Sequence, residues 1–443
     1  MKIQRFTALL ILLTLCLIGT GCAGPPSRPS SVGATPSLYG DLENLDPRGE
    51  VITVWYPASH EEALLAMLDR FNGTNPWGIA VRGERKADSA DIYARIREGA
   101  PEGKLPDLAV VSSGYLAASA MEGLAVELTP YLKSRRWGFT TGEQEEFFPS
   151  VLRVGELIRP SGRYGFPFAL SAGLLFYNRG WLRQLGYDHP PRTWEEFREM
   201  ACAASDPASG VYGYEFPASD RTFLHLLIGY GGQMMDAAGT GYIFGGQEGL
   251  EALTFLRDLV RDGCATREPR WEQAETDFGA GRVLFVLSST WHIPHYRQVA
   301  AQRSGLDWAV APLPTVSGAP VTDLFGLSWF IPPTTPRRQL AAWLVVRWMN
   351  EQPQQDRWVS ISGYLPHRRL SPEFQAMFME GTPQYADVLA LLDLDAVVEP
   401  AVPGYEVCRS VLSGMVSAVA EGDDPALGLE QAVASCQATL NRP

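Results

Sequence analysis

The chain predicts an α/β body in which strands and helices alternate around a sheet covered on both faces, followed by a helical C-terminal region. Three observations predict this. Short runs rich in β-branched and aromatic residues, VITVWY and LPDLAVV among them, read as strands, whereas SHEEALLAMLDRFN carries its apolar residues at helical spacing. Each such strand is followed within a few residues by a helix, which is the repeating unit of a parallel sheet. Beyond the long helical pattern RRQLAAWLVVRWMNEQPQQDRWVS the chain carries helices and loops.

Taken in order, the first strand, VITVWY, leads into a helix whose inner face is Leu64, Leu65, Leu68 and Phe71. LPDLAVV is a buried strand, and the helix after it runs from about Tyr115 to Met121, with Gly123 as its stop. The central block RYGFPFALSAGLLFYN holds a strand punctuated by glycine and proline, then a second apolar strand ending at Tyr177-Asn178. The next helix opens on a capping box, Thr193 with Glu196. GLEALTFLRDLVRDGC is an amphipathic helix, FGAGRVLFVLSSTW runs from a helix end into a strand, and LDWAVAPLP and LFGLSWFIPP are strands. The long pattern near the end is kinked or split at Pro353. Trp194, Trp343 and Trp348 fall in helices and are assigned to packing, while Trp329 either lines a cleft or fills a core. No fixed-period repeat is present.

A length of 443 residues with 46% hydrophobic content fits two or three lobes rather than one core. The net charge is −13, and no basic cluster exists that would neutralise a phosphate backbone, so nucleic acid is excluded as a partner. Lys2 and Arg5 precede an apolar run from Phe6 to Ile18, the pattern of a secretory signal over 1–21 and too short to span a bilayer comfortably. Gly19-Thr20-Gly21-Cys22 resembles a bacterial lipobox, with Gly19 where an aliphatic residue is usual. It predicts a lipid on Cys22, and the segment 22–49, rich in Pro, Ser and Gly, reads as a flexible tether.

Outside the cytoplasm, cysteines pair. Cys408 and Cys436 stand at equal distances from Gly422 on two helical patterns, so a helix hairpin would join them, and Cys202 and Cys264 then pair by elimination among the three connectivities that four cysteines allow.

The segments VITVWYPASHEEALLAMLDRFN, LPDLAVVSSGYLAASAMEGLAVELTPYL, YGFPFALSAGLLFYNRGWLRQLGYDHPPRTWEEF and FGAGRVLFVLSSTW, with WAVAPLP close behind, resemble in order and wording the extracellular solute-binding proteins typified by the maltodextrin and multiple-sugar binders. The resemblance covers nearly the whole mature chain. It implies a periplasmic-binding-protein-like (type II) fold, with two α/β lobes that rotate about crossing segments to enclose a solute. On this sequence the first crossing is Phe166 to Leu170, the second is 308–322, and the third lies near Ser362 to His367. Lobe one is then 50–165 with 323–362, and lobe two 166–307 with 363–443. The implied function is that of a monomeric, lipid-anchored, extracytoplasmic receptor without a cofactor, which captures a carbohydrate and delivers it to the transmembrane subunits of an ABC permease.

A sugar site needs ring faces to cover the apolar faces of a pyranose, and amides and hydroxyls to satisfy its OH groups, on loops at the carboxyl ends of parallel strands. Trp55, Tyr56 and His60 follow the first strand, and Ser112, Ser113 and Tyr115 the second. The resemblance adds Ser289 and Trp291 in the SSTW turn, Gln233 after a glycine pair, Tyr405 before the penultimate helix, and Tyr364 with His367 near the third crossing. For Trp55 and Tyr364, packing is an equal alternative. Some maltodextrin-type relatives carry an acidic residue where this chain has Ser171, which argues against maltose specificity.

His292 and His295 have a spacing used by metal sites, but Pro294 lies between them and no acidic partner is close in sequence. No nucleophile elbow or zinc-protease motif is present. The alternatives to transport are a ligand sensor docking on a membrane receptor, a binder of a non-sugar solute such as a polyamine, and a secreted glycosidase.

Overall fold

The computed structural model describes residues 38–440 apart from 269, 303–305 and 395. The expected signal 1–21, the expected lipid site Cys22 and the first part of the expected tether lie outside the described residues.

The strands are β1 (Val51–Pro57), β2 (Ala80–Lys86), β3 (Leu108–Ser112), β4 (Glu156–Leu157), β5 (Gly162–Arg163), β6 (Phe166–Asn178), β7 (Tyr212–Phe216), β8 (Ala265–Arg267), β9 (Val283–Ser289), β10 (Trp308–Ala311), β11 (Asp323–Phe330) and β12 (Val397–Val398). One sheet runs β2-β1-β3-β11-β6-β9-β7-β8, with β10 on β6 and β12 on β11, while β4 and β5 form a separate hairpin. The pairs β1/β2 and β1/β3 at one end, and β7/β8 and β7/β9 at the other, are parallel as expected. In the middle β3/β11, β11/β6 and β6/β9 are antiparallel, so the sheet is mixed. The reversal follows from β6 and β11 passing between the two ends, each running against the local βα units.

β6 is one strand of thirteen buried residues, not the two read from the sequence. Pro167 has no N–H to donate, and the ladder accommodates it by a register shift between Leu327 and Ser328 on β11. The first part of β6 (Phe166, Phe168, Ala169) enters a core with Ile52, Val54, Trp329 and Trp343. Further along, Leu175 and Tyr177 enter another with Trp194, Phe197, Tyr214 and Phe285. This strand thus stitches two separately packed bodies together, which is the two-lobed architecture. Trp329 fills the first core, its ring 4.5 Å from that of Phe168.

The long helical pattern is two helices, Pro336–Met349 and Gln352–Ser362, broken before Pro353, which occupies the first turn of the second. The capping box at Thr193 and Glu196 is formed. Both expected disulfides, Cys202–Cys264 and Cys408–Cys436, are present. The expected tether needs a correction at its C-terminal end, because residues 38–49 pack on the body. Tyr39, Leu42 and Leu45 lie against the first core, the Tyr39 hydroxyl donates to the Glu127 carbonyl at 2.9 Å, and Trp137 Nε1 donates to the Leu42 carbonyl at 2.8 Å. Three apolar side chains within seven residues give this stretch a surface to bury that the Pro/Ser-rich part lacks.

Candidate functional site

β1 ends in a short 3₁₀ turn, Ala58–His60, and β9 ends in another, Thr290–His292. The two turns meet across a cleft of about 380 Å³ lined by Ser59, His60, Ser171, Ser289, Trp291 and Tyr364 among others. Ser171, on the crossing strand β6, fixes the second turn. Its hydroxyl accepts from the Trp291 N–H at 3.1 Å and pairs with the Thr290 hydroxyl at 2.9 Å. Trp291 is left 44% exposed, a large ring face turned outward from an otherwise closed turn.

Tyr364 completes an aromatic ladder. Its ring lies nearly parallel to Trp291 (centroids 6.2 Å apart, 16°), to His60 (5.3 Å, 16°) and to Trp358 (6.1 Å, 8°). The Tyr364 hydroxyl is 2.8 Å from His60 Nε2, and Ser59 Oγ is 2.9 Å from His60 Nδ1. Burial lowers the His60 pKa to about 4, so the imidazole is neutral at pH 7 and combines a donor with an acceptor. A neighbouring cavity of about 330 Å³ shares Ser59, His60, Trp291 and Tyr364 with the cleft. Ring faces backed by hydroxyls and a neutral imidazole suit a polyhydroxylated solute.

One flank of the cleft is charged. Arg221 and Asp220 open the helix Asp220–Gly229, and Glu406 and Arg409 lie in the first turns of Tyr405–Ala420. Arg221 bonds Asp323 at 3.1 Å and pairs with Glu399, while Arg409 bonds Asp220 at 2.7 Å and Glu406 at 3.2 Å. The Ser112 hydroxyl donates to Glu406 at 2.5 Å and the Ser113 hydroxyl to Glu399 at 3.4 Å. Helix Ser113–Met121 also begins here, so three helix N-termini meet at this flank, where burial raises the pKa of Glu399. His225, fully buried 3.6 Å from Asp323, has its pKa lowered by desolvation.

The structure therefore brings His60, Ser289, Trp291 and Tyr364 together and places the other expected site residues elsewhere. Ser112 and Ser113 bind the protein's own carboxylates. Trp55 donates to Glu84 at 2.8 Å beneath Lys86. Tyr56, pointing to the opposite face of β1, is buried in the core, and Tyr115 packs on Tyr93. His367 is buried against Asn350, 2.7 Å away. Gln233 and Tyr405 border a separate cavity of about 390 Å³, where Tyr405 is fully buried and its hydroxyl has no hydrogen-bond partner among the described residues.

Sequence reasoning missed Ser171 as a lining group, and also Arg221, His225, Phe325 and Arg409. Arg221 and His225 are four residues apart in DRTFLHLL, one polar face on an apolar helix, and that was the available signal. The acidic partner sought near His292 and His295 comes from helix Trp271–Gly279. Glu275 lies 2.8 Å from His295 and 3.8 Å from His292, and burial raises its pKa to about 7. Among the described residues no group of three has metal-holding geometry.

Two α/β lobes joined by crossing strands, with an exposed tryptophan in the cleft between them, define a solute-capturing receptor. The family model for bacterial extracellular solute-binding proteins matches residues 66–384, and the chain belongs to that family, whose members work outside the cytoplasm. A binding protein of Brucella abortus is 23% identical over 348 residues, covering 76% of this chain and 80% of its own. The maltotriose-binding protein of Pyrococcus abyssi is 23% identical, over 62% of this chain and 58% of its own. Among solved structures, the sugar-binding protein MalE of Xanthomonas citri superposes with a TM-score of 0.76 at 20% identity, covering 88% of this chain and 97% of its own.

Proposed function

We propose that this protein is the receptor of an ABC importer, which takes up a carbohydrate between its lobes and presents it to the permease, anchored by a lipid on Cys22. The observation that carries the reading is Trp291, a half-exposed indole at the mouth of a ladder of parallel rings, with Ser59, Ser171 and Ser289 beside it. An apolar ring face framed by hydroxyls matches the alternating faces and edges of a pyranose. Asp88 is the single carboxylate among the described residues lining the cleft, a composition suited to hydroxyls rather than to an amine. The sugar-binding functions of the Pyrococcus and Xanthomonas relatives support the same reading. The lobes are 50–165 with 323–362 and 166–307 with 363–443, and the ligand acts by favouring the closed arrangement.

The test is a thermal-shift screen of the purified body against mono- and oligosaccharides, polyols, polyamines and amino acids, since a solute that binds only the native state raises its melting temperature. A sugar that stabilises the wild type and not Trp291→Ala supports the reading. A shift from polyamines or amino acids alone removes the carbohydrate assignment.

A further inference from the structure

We infer that Arg221 is a wall that sets the length of solute the closed cleft accepts; this rests on the carbohydrate reading. The cleft of about 380 Å³ beside Trp291 and the cavity of about 390 Å³ beside Gln233 have one lining residue in common, Arg221. Its guanidinium carbon lies over the Phe325 ring, 3.6 Å from the centroid, and the group is held by Asp323 and Glu399. A planar cation clamped this way is rigid, unlike a solvated side chain. Glu399 also accepts from Ser113, so the wall is tied to the helix Ser113–Met121 on its far side.

The space behind the wall can hold solute. Its sides are Leu224, Ile228, Met234 and Val402, apolar surface of the kind that covers a sugar face, and Gln233 supplies an amide. Two buried polar groups next to it have no hydrogen-bond partner among the described residues, the Tyr405 hydroxyl and Arg221 Nε, the latter 3.9 Å from Asp220. Burial and the charge of Glu399 act on that phenol, which places it among the same groups. With Arg221 in place, a chain of sugar rings starting on Trp291 stops at the guanidinium. Without it the two spaces join, and a longer chain reaches the amide and the phenol.

The experiment is calorimetric titration with oligosaccharide ladders from one to six units (α-1,4-glucans, β-1,4-glucans, β-1,4-xylans) on the full mature body. Arg221→Ala leaves Asp323 and Glu399 without their cation, so the working variant is Arg221→Met with Asp323→Asn and Glu399→Gln, its fold checked by thermal melting. On the ladder that binds, wild-type affinity levels off at short length, whereas the variant gains about tenfold or more for longer members, the equivalent of one further well-buried contact. Adding Met235→Trp, which fills the second cavity, returns the variant to the wild-type profile. Identical length profiles in wild type and folded variant overturn the inference while leaving the carbohydrate reading intact. If no ladder binds the wild type, the carbohydrate reading fails first and the inference falls with it.

Discussion

The Tyr364 hydroxyl stands 2.8 Å from His60 Nε2, with the two rings stacked at 16°, so the turn after the first strand and the segment after helix Gln352–Ser362 are locked into one wall of the cleft. Trp291 stacks beside that wall, its ring nearly parallel to that of Tyr364 at 6.2 Å. The arrangement separates residues whose loss should affect binding from residues whose loss should affect the fold.

Trp291 belongs to the first group. Its ring is half-exposed and outside the hydrophobic cores, so Trp291→Ala removes a solute contact without opening a cavity. We expect solute affinity to fall about tenfold or more, in the range for loss of an anchoring aromatic, with the unliganded melting temperature little changed. Calorimetry beside a thermal melt checks both halves, and a large drop in melting temperature would reassign the ring to packing.

The buried histidines give stability a pH dependence. Burial lowers His60 and His292 to about 4 and His367 to about 3, against an ordinary value near 6.5. Between these values the unfolded chain binds protons the native state does not, so stability is complete above about pH 6.5 and is lost as pH falls towards 4. Glu215 and Glu275, raised to about 7 by burial, act in the opposite direction between about 4.5 and 7. Two of the three histidine shifts match the two glutamate shifts in size and the third, at His367, is larger, so the histidines prevail and the melting temperature should be lower at pH 5 than at pH 7. Calorimetric melts across that window, repeated with His60→Phe to flatten the slope, measure it.

Both disulfides close sizeable loops, with sequence separations of 62 for Cys202–Cys264 and 28 for Cys408–Cys436. Loop-closure entropy alone gives each about 3–4 kcal/mol. Cys408 and Cys436 are fully buried in the core that also holds Leu412 and Leu429. Replacing the pair Cys408 and Cys436 by serine should therefore cost at least as much as the entropy, since two hydroxyls enter an apolar environment, and alanine replacements should cost less. Urea titrations of the two double variants discriminate.

The order of strands and helices and both disulfides were legible because period, capping and cysteine placement carry them, whereas the Trp291 turn came from the family resemblance. Tyr56 and Trp55 were not legible, because adjacent residues at a strand end point to opposite faces and the sequence does not say which face the cleft takes. Tyr405 has an aromatic's usual ambiguity, and here packing claims it. The charged flank was the least visible part. Arg221, Asp323 and the pair Glu399 and Arg409 lie in three regions distant in sequence, and each alone reads as a surface charge.

The same flank predicts how tightly the lobes stay closed. With the lobe boundaries proposed above, Ser112 and Ser113 stand at the start of a helix of lobe one, where a solute hydroxyl would be expected, yet they donate to Glu406 and Glu399 of lobe two. On that division the bonds span the two lobes, and we expect them to break when the lobes part. Glu406 also holds Arg409, so Glu406→Gln keeps a group able to accept from Ser112 while weakening both contacts by loss of charge. Removing charge-assisted bonds that form on closure should destabilise the closed state by about 1–2 kcal/mol, raising the solute off-rate roughly five- to thirtyfold with little change in on-rate. Stopped-flow fluorescence of the indole at Trp291 reads both rates. Ser112→Ala should reproduce the off-rate change in smaller measure, and an on-rate effect in either variant would mean that these residues meet the solute directly.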